Sequence, residues 1–105
     1  MSDYIKVASE SAVAEGQAKV FDVEGDDRVV LCKVAGKCYA IADVCTHDGG
    51  PLGEGDLDGY EIICPRHGAR FDVRTGAVLA FPAIMPVASY AVMVADGEVL
   101  VKIDE

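Results

Sequence analysis

The segments Cys45-Thr46-His47 and Cys64-Pro65-Arg66-His67 decide how this 105-residue chain is interpreted. Sixteen residues separate the two segments, and each segment supplies one cysteine and one histidine. Two thiolates and two imidazoles form a four-ligand set, and their spacing suits two loop tips that bind one metal centre between them. Both histidines of the chain belong to this set, so none is left for a second histidine-based site.

The composition describes one globular domain with an excess of negative charge. Hydrophobic residues make up 51% of the chain, and 18 acidic against 9 basic residues leave a net charge of −9. A surface of this sign repels nucleic acid and anionic membranes and favours basic partners. The first residues show no signal-peptide pattern, and no run of about 18 apolar residues predicts a membrane span. We therefore expect a cytoplasmic domain that binds neither nucleic acid nor membrane.

Strand patterns dominate the chain on both sides of the ligand segments. Ala35-Gly36 and Asp96-Gly97 predict two-residue hairpin turns. The one helical pattern, over residues 9–15, predicts a single turn or less. Apolar and alternating runs predict strands over residues 18–23, 28–34, 37–42, 77–80, 89–95 and 98–103. The predicted fold class is all-β, with stacked antiparallel sheets in a compact sandwich or barrel-like arrangement.

The region from about residue 44 to residue 76 differs from the strands around it. Seven of the eleven glycines fall there, and glycine permits positive φ and close approach of the backbone. Loops of this kind can point backbone amides at buried sulfur atoms. We predict a small metal-binding subdomain over about residues 44–76, within a single domain that spans residues 1–105.

The pattern C-T-H…C-P-x-H-G followed by F-D-x-x-T-G resembles the Rieske iron–sulfur proteins, from about Tyr4 to the C-terminus. The resemblance implies the Rieske fold, with its small cluster-binding subdomain, and one [2Fe–2S] cluster per chain. It also implies the ligands of that cluster. Cys45 and Cys64 would bind the inner iron, and His47 and His67 would bind the outer iron.

A structural zinc site is the alternative for these four ligands, because two cysteines and two histidines are also a common tetrahedral zinc shell. Zinc modules more often place their ligands as a pair of cysteines and a pair of histidines. The mixed Cys-His pairs, together with Pro65 and Gly68, favour the cluster.

The ligand set also bears on the reduction potential. Two thiolates and two neutral imidazoles leave an oxidised cluster without net charge, whereas four thiolates would leave a dianion that accepts an electron less readily. The high-potential Rieske proteins of cytochrome bc-type complexes carry an extra disulfide between the loops, where this chain has Gly50 and Arg66. They also carry hydroxyl groups where this chain has Ala69 and Phe71. The departures predict a potential near the low end of the Rieske range, about −150 mV.

The resemblance implies an electron carrier and not an enzyme. Terminal Rieske oxygenases add a mononuclear iron held by two further histidines and a carboxylate, and this sequence has no further histidine. The chain is similar to ferredoxin components that pass electrons from a flavoprotein ferredoxin reductase to a terminal oxygenase. We expect a monomer that exchanges electrons through His47 and His67. The alternatives are the small Rieske subunit of an assimilatory nitrite reductase and a redox-sensing or structural module.

Residues around the ligand segments carry further expectations. Pro82 and Pro86 predict a third loop that covers the cluster; there Phe81 stands where the family has glycine, and Phe71 and Phe81 are expected to be packing residues. Acidic residues on or near the loops are candidates for docking a basic partner surface: Asp48, Glu54, Asp56, Asp58 and Glu61.

Two further cysteines, Cys32 and Cys38, flank the Ala35-Gly36 turn. The turn would pair Cys32 with Tyr39 and Cys38 with Lys33, which places the two sulfur atoms on opposite faces of the sheet. We therefore expect two buried free thiols and no disulfide.

Overall fold

The computed structural model describes residues 4–23, 28–44, 52–65, 68–81, 83 and 85–102. In these residues, ten strands form two antiparallel sheets, and one 3₁₀ turn covers Glu10–Ala12. The strands are β1 (Tyr4–Ser9), β2 (Ala18–Asp22), β3 (Arg28–Val34), β4 (Lys37–Ala42), β5 (Asp56–Asp58), β6 (Glu61–Ile63), β7 (Arg70–Asp72), β8 (Val78–Ala80), β9 (Ser89–Ala95) and β10 (Glu98–Lys102).

The two sheets differ in size. The larger has six strands in the order β1-β10-β9-β4-β3-β2, and the smaller has four in the order β5-β6-β7-β8. The edge strands β1 and β2 of the larger sheet also contact each other, so this sheet curls toward a barrel. The architecture confirms the predicted all-β class with antiparallel sheets. In the described ranges, no helix has the length and apolar character needed to cross a membrane.

Strand β3 is buried on both faces, which explains why its sequence is apolar without alternation. Leu31 packs with Val99 and Val101 of β10 in a core inside the curled sheet. Its neighbour Val30 points the other way, into a second core that contains Ile62 of β6 and Phe71 of β7. This second core joins the large sheet to the small one, and it is the core that contains the described part of the predicted metal site.

Both predicted hairpin turns are confirmed. Ala35 and Gly36 have φ of 54° and 78°, and Asp96 and Gly97 have φ of 53° and 76°. Two successive left-handed residues are the geometry of a type I′ turn, whose twist matches that of the flanking strands. The carboxylate of Glu15 accepts hydrogen bonds from the N–H groups of Ala35 and Gly36, at 2.7 and 2.9 Å. The first hairpin is therefore held to the preceding segment of chain.

Four strands were not predicted. Strand β1 is an edge strand whose pairing with β10 is interrupted by a bulge between Lys6 and Ala8, so its sequence alternates poorly. Strands β5, β6 and β7 have three residues each, too few for an alternating pattern to be recognised. The predicted strand 98–103 reaches Lys102, beyond which the chain lies outside the described residues. The bounds of the predicted subdomain, about 44–76, stay a prediction.

Candidate metal centre

Of the four predicted ligands, the structure describes Cys64. Cys45, His47 and His67 lie outside the described residues, so the complete ligand set stays a prediction. Among the residues that are described, no group of three or more His, Cys, Asp or Glu side chains could hold a metal ion. What the fold shows of the centre is therefore the local structure around Cys64 and around the described residues that flank both ligand segments.

Cys64 follows β6 directly and belongs to the hairpin that β6 makes with β7. Its N–H donates a hydrogen bond to the carbonyl of Ala69 at 2.7 Å, and its carbonyl accepts one from Gly68 at 3.0 Å. Gly68 has φ of 79°, the left-handed conformation that glycine adopts without steric cost. These bonds bring the two ends of the second ligand segment side by side and hold Cys64 in the shared core.

Asp43, just before the first ligand segment, ties the chain to Leu52 and Gly53, which follow that segment. Its Oδ1 atom accepts hydrogen bonds from the N–H groups of Leu52 at 2.9 Å and Gly53 at 2.8 Å. A Cβ at Gly53 would collide with the Val20 side chain, so the close packing needs glycine there. Sequence analysis missed Asp43; the available signal was an acidic residue two positions before the first predicted ligand, Cys45.

The F-D-x-x-T-G segment positions the chain that was predicted to cover the centre. Gly76 has φ of 82°, its N–H donates to the Asp72 carbonyl at 2.7 Å, and its carbonyl accepts from Val87 at 2.8 Å. A Cβ at Gly76 would collide with the Val87 carbonyl. Ala83 and Val87 pack in the same core as Cys64. The segment after β8 is thereby fixed against the residues around Cys64; Pro82 lies outside the described residues.

The two aromatic residues that were expected to pack, Phe71 and Phe81, differ in burial. Ala69 and Phe71 are fully buried in the core that contains Cys64, which confirms the prediction for Phe71. The prediction that Phe81 packs is wrong, because its side chain is 82% exposed. The chain turns at the end of β8, after Ala80, so Phe81 leaves the sheet and points away from the core.

Three charged residues of the small sheet form one local network. Arg70 Nη1 lies 3.2 Å from Glu61 Oε1 and 3.3 Å from Asp58 Oδ2. The hydrogen bond to Glu61, with a smaller effect from the hydrogen bond to Asp58, raises the pKa of Arg70 above its usual range. Glu54 and Asp56 are also exposed. Of the five predicted acidic docking residues, Asp48 lies outside the described residues.

Cys32 and Cys38 are buried free thiols, as predicted. The register pairs Cys32 with Tyr39 and Cys38 with Lys33, and the two cysteines pack in different cores on opposite faces of the sheet. Burial, and secondarily the nearby Cys38, raises the pKa of Cys32 to about 12. Burial also raises the pKa of Cys38. Both thiols are therefore protonated at neutral pH.

The described surroundings fit a buried metal cluster with Cys64 as a ligand. Cys64 is buried and forms no disulfide, and its neighbours in the core are apolar. Hydrogen bonds tie together the described residues on either side of each ligand segment, through the Asp43 side chain for the first and through the backbone of Cys64, Gly68 and Ala69 for the second. Two thiolates with two imidazoles are the donor set that a Rieske cluster takes.

Comparison with known proteins agrees with the site. The family model described as Rieske [2Fe-2S] domain matches residues 3–91. The ferredoxin component of the p-cumate 2,3-dioxygenase system of Pseudomonas putida is 34% identical over 104 residues, which cover 98% of this chain and 88% of that protein. The ferredoxin of carbazole 1,9a-dioxygenase from Nocardioides aromaticivorans IC177 superimposes with a TM-score of 0.88 at 39% identity, covering 93% of this chain and 95% of that one.

Two further structures extend the comparison. A chain in the complex of reduced oxygenase and oxidized ferredoxin in carbazole 1,9a-dioxygenase has a TM-score of 0.88 at 35% identity, covering 94% of this chain and 92% of that one. A putative NADH-dependent nitrite reductase small subunit from Mycobacterium tuberculosis has a TM-score of 0.88 at 15% identity, covering 100% and 98%, and at that identity it shares the fold alone. The family match spans most of the sequence, and the full-length relatives are ferredoxin components. The chain therefore belongs to the Rieske [2Fe-2S] domain family, in which each domain carries one [2Fe–2S] cluster.

Proposed function

We propose that this protein is the ferredoxin component of a ring-hydroxylating oxygenase system, carrying one electron at a time to the terminal oxygenase. Cys45, His47, Cys64 and His67 hold the cluster in this proposal. The electrons come from a flavin-dependent reductase. The protein is a carrier and catalyses no reaction on an organic substrate by itself.

The observation that carries the proposal is correspondence over nearly the whole chain. The relatives that match it from end to end are ferredoxin components of dioxygenase systems, and the sequence has all four residues of the ligand set. The two histidines are both used by that set, so this sequence offers no two-histidine site for a mononuclear iron. The nitrite reductase alternative has only a fold-level likeness in its support.

The residues of the chain have defined tasks in this function. When bound, the cluster accepts and releases one electron. Cys64 lies in the apolar core, so the thiolate that it would give to the cluster would be shielded from water. His47 and His67 would present the outer side to the partner. The hydrogen bonds of Asp43 with Leu52, and of Cys64 with Ala69, tie together the described residues that flank each ligand segment.

The experiment that tests the function combines metal analysis with electron paramagnetic resonance of the dithionite-reduced protein. We expect two irons and no zinc per chain, and the anisotropic signal of a histidine-ligated cluster. Cys64→Ser should abolish the signal, whereas Cys32→Ser, a substitution of an equally buried cysteine, should retain it. One zinc per chain and no signal would establish the structural zinc alternative instead.

We also propose that the carrier is a cytoplasmic monomer. Two protonated free thiols, Cys32 and Cys38, suit a reducing compartment, where disulfides rarely persist. Sedimentation equilibrium of the cluster-containing protein tests the oligomeric state, and a mass above that of one 11.0 kDa chain would contradict it. Co-purification with a large sirohaem protein would support the nitrite reductase alternative.

A further inference from the structure

Three exposed apolar side chains follow one another on the segment around the end of β8. Phe81 is 82% exposed, Met85 is 61% exposed and Leu79 is 48% exposed; we call these three residues the apolar patch. Single exposed apolar residues are ordinary on protein surfaces, whereas three within seven residues of one segment concentrate apolar surface in one part of the chain. A shallow groove of about 310 Å³ runs beside them, lined by Val78, Leu79, Ala80, Phe81 and Ala83.

The chain that leaves β8 brings Phe81 near the core that contains Cys64. The Cys64 N–H binds the Ala69 carbonyl, and on the next strand Arg70 pairs with Ala80. Phe81 follows Ala80 directly, and Ala83, two residues further on, packs in the same core as Cys64. The apolar patch therefore borders the predicted cluster site.

The surroundings of the apolar patch carry excess negative charge. Arg70, next to Ala80 in the sheet, is held by Asp58 and Glu61. Two carboxylates against one guanidinium leave a net negative charge beside the apolar patch. A complementary surface has an apolar recess bordered by lysine or arginine side chains.

We propose that the apolar patch docks the terminal oxygenase, with Phe81 as the side chain that enters an apolar recess on that partner. The inference rests on the electron-carrier function proposed above and names the surface that the carrier uses. Three side chains bury too little area for a stable dimer of this chain but suit the small, transient contacts of redox partners. A similar ferredoxin has been solved in complex with an oxygenase, that of carbazole 1,9a-dioxygenase.

The test measures electron transfer from the reduced protein to an oxygenase. The probe is the terminal oxygenase of carbazole 1,9a-dioxygenase from Nocardioides aromaticivorans IC177, whose own ferredoxin is 39% identical to this chain. Stopped-flow absorbance follows reoxidation at increasing oxygenase concentration. We expect Phe81→Ala to raise the half-saturating concentration about tenfold, as loss of a buried aromatic anchor does, with an unchanged cluster spectrum and midpoint potential. Phe81→Leu should recover part of the loss.

Met93→Ala is the matched control, because Met93 is 42% exposed on β9 of the large sheet and should leave the half-saturating concentration unchanged. Equal curves for the wild-type protein and Phe81→Ala would overturn the docking surface, and so would an equal loss in both variants or a changed cluster spectrum in Phe81→Ala. A loss confined to reduction by a flavoprotein reductase would overturn the assignment to the oxygenase. A wild-type protein without an iron–sulfur cluster would instead contradict the proposed function itself, and a cluster-containing one that does not reduce the probe would overturn docking to this class of oxygenase.

Discussion

Asp43 Oδ1 accepts a hydrogen bond from the backbone N–H of Leu52 at 2.9 Å, and this bond joins the two described ends of the first ligand segment. The same oxygen also accepts from Gly53 at 2.8 Å. Leu52 is fully buried in the core that contains Cys64. A side chain before the first predicted ligand thus connects the first segment to the core that surrounds the second.

Replacing Asp43 should lower the free energy of unfolding and speed the loss of the cluster. Asp43→Ala leaves the N–H groups of Leu52 and Gly53 without their acceptor, which costs about 1–3 kcal/mol for partly buried donors. We expect a lower urea midpoint and faster loss of visible absorbance in the presence of an iron chelator. Asp43→Asn keeps an acceptor oxygen, so its urea midpoint and its rate of absorbance loss should fall between those of the wild-type protein and Asp43→Ala. Asp56→Ala, an exposed substitution on β5, is the control; equal chelation rates in Asp43→Ala and Asp56→Ala would contradict the role of Asp43.

A second prediction separates backbone strain from close packing at two glycines. Gly76 and Gly16 have similar positive φ, 82° and 78°, but a Cβ would collide with the Val87 carbonyl only at Gly76, since nothing lies within 4 Å at Gly16. Gly16→Ala should cost about 1 kcal/mol of unfolding free energy. Gly76→Ala should cost about 2–5 kcal/mol, because the collision adds to the strain. Urea unfolding of the two variants side by side gives both values, and equal losses would show that Val87 moves aside freely.

The sequence was informative where chemistry or turn geometry limits the choice of residue. Ala35-Gly36 and Asp96-Gly97 predicted the hairpins, and the register of the first one placed Cys32 and Cys38 on opposite faces. The three-residue strands β5 to β7 escaped prediction because pairing with neighbours, and not their own alternation, defines them. Phe81 was expected to pack because it is aromatic; its exposure depends on where the chain leaves β8, which tertiary structure decides.

A third prediction concerns the reduction potential. Ala69 is fully buried beside Cys64, and Ala69→Ser would introduce a hydroxyl donor in the core around the cluster. A donor near cluster or ligand sulfur stabilises the reduced, more negative form. We expect the midpoint potential to rise on the order of 50 mV, measured by spectroelectrochemistry. Ala40→Ser, in the other core, is the control and should not shift the potential. An unchanged potential in Ala69→Ser would mean that its hydroxyl does not reach sulfur.

The last prediction concerns the pH dependence of stability. Hydrogen bonds from the N–H groups of Gly36 and then Ala35 lower the pKa of Glu15 below its ordinary value. A depressed pKa in the folded state means that the Glu15 carboxylate stabilises the protein above its unfolded-state pKa of about 4.3, and that this contribution is lost as pH falls through the folded-state pKa.

Glu15→Gln removes the charge and keeps one acceptor. We therefore expect the wild-type protein to have the higher urea midpoint at pH 7, and the difference from Glu15→Gln to shrink between about pH 5 and pH 3. Glu15→Ala, which removes both acceptor oxygens, should stay below Glu15→Gln throughout. All three proteins hold the same predicted cluster ligands, so effects of pH on those ligands cancel in the differences. A gap between wild type and Glu15→Gln that persists undiminished at the acidic end would show that the ionised carboxylate does not stabilise the hairpin.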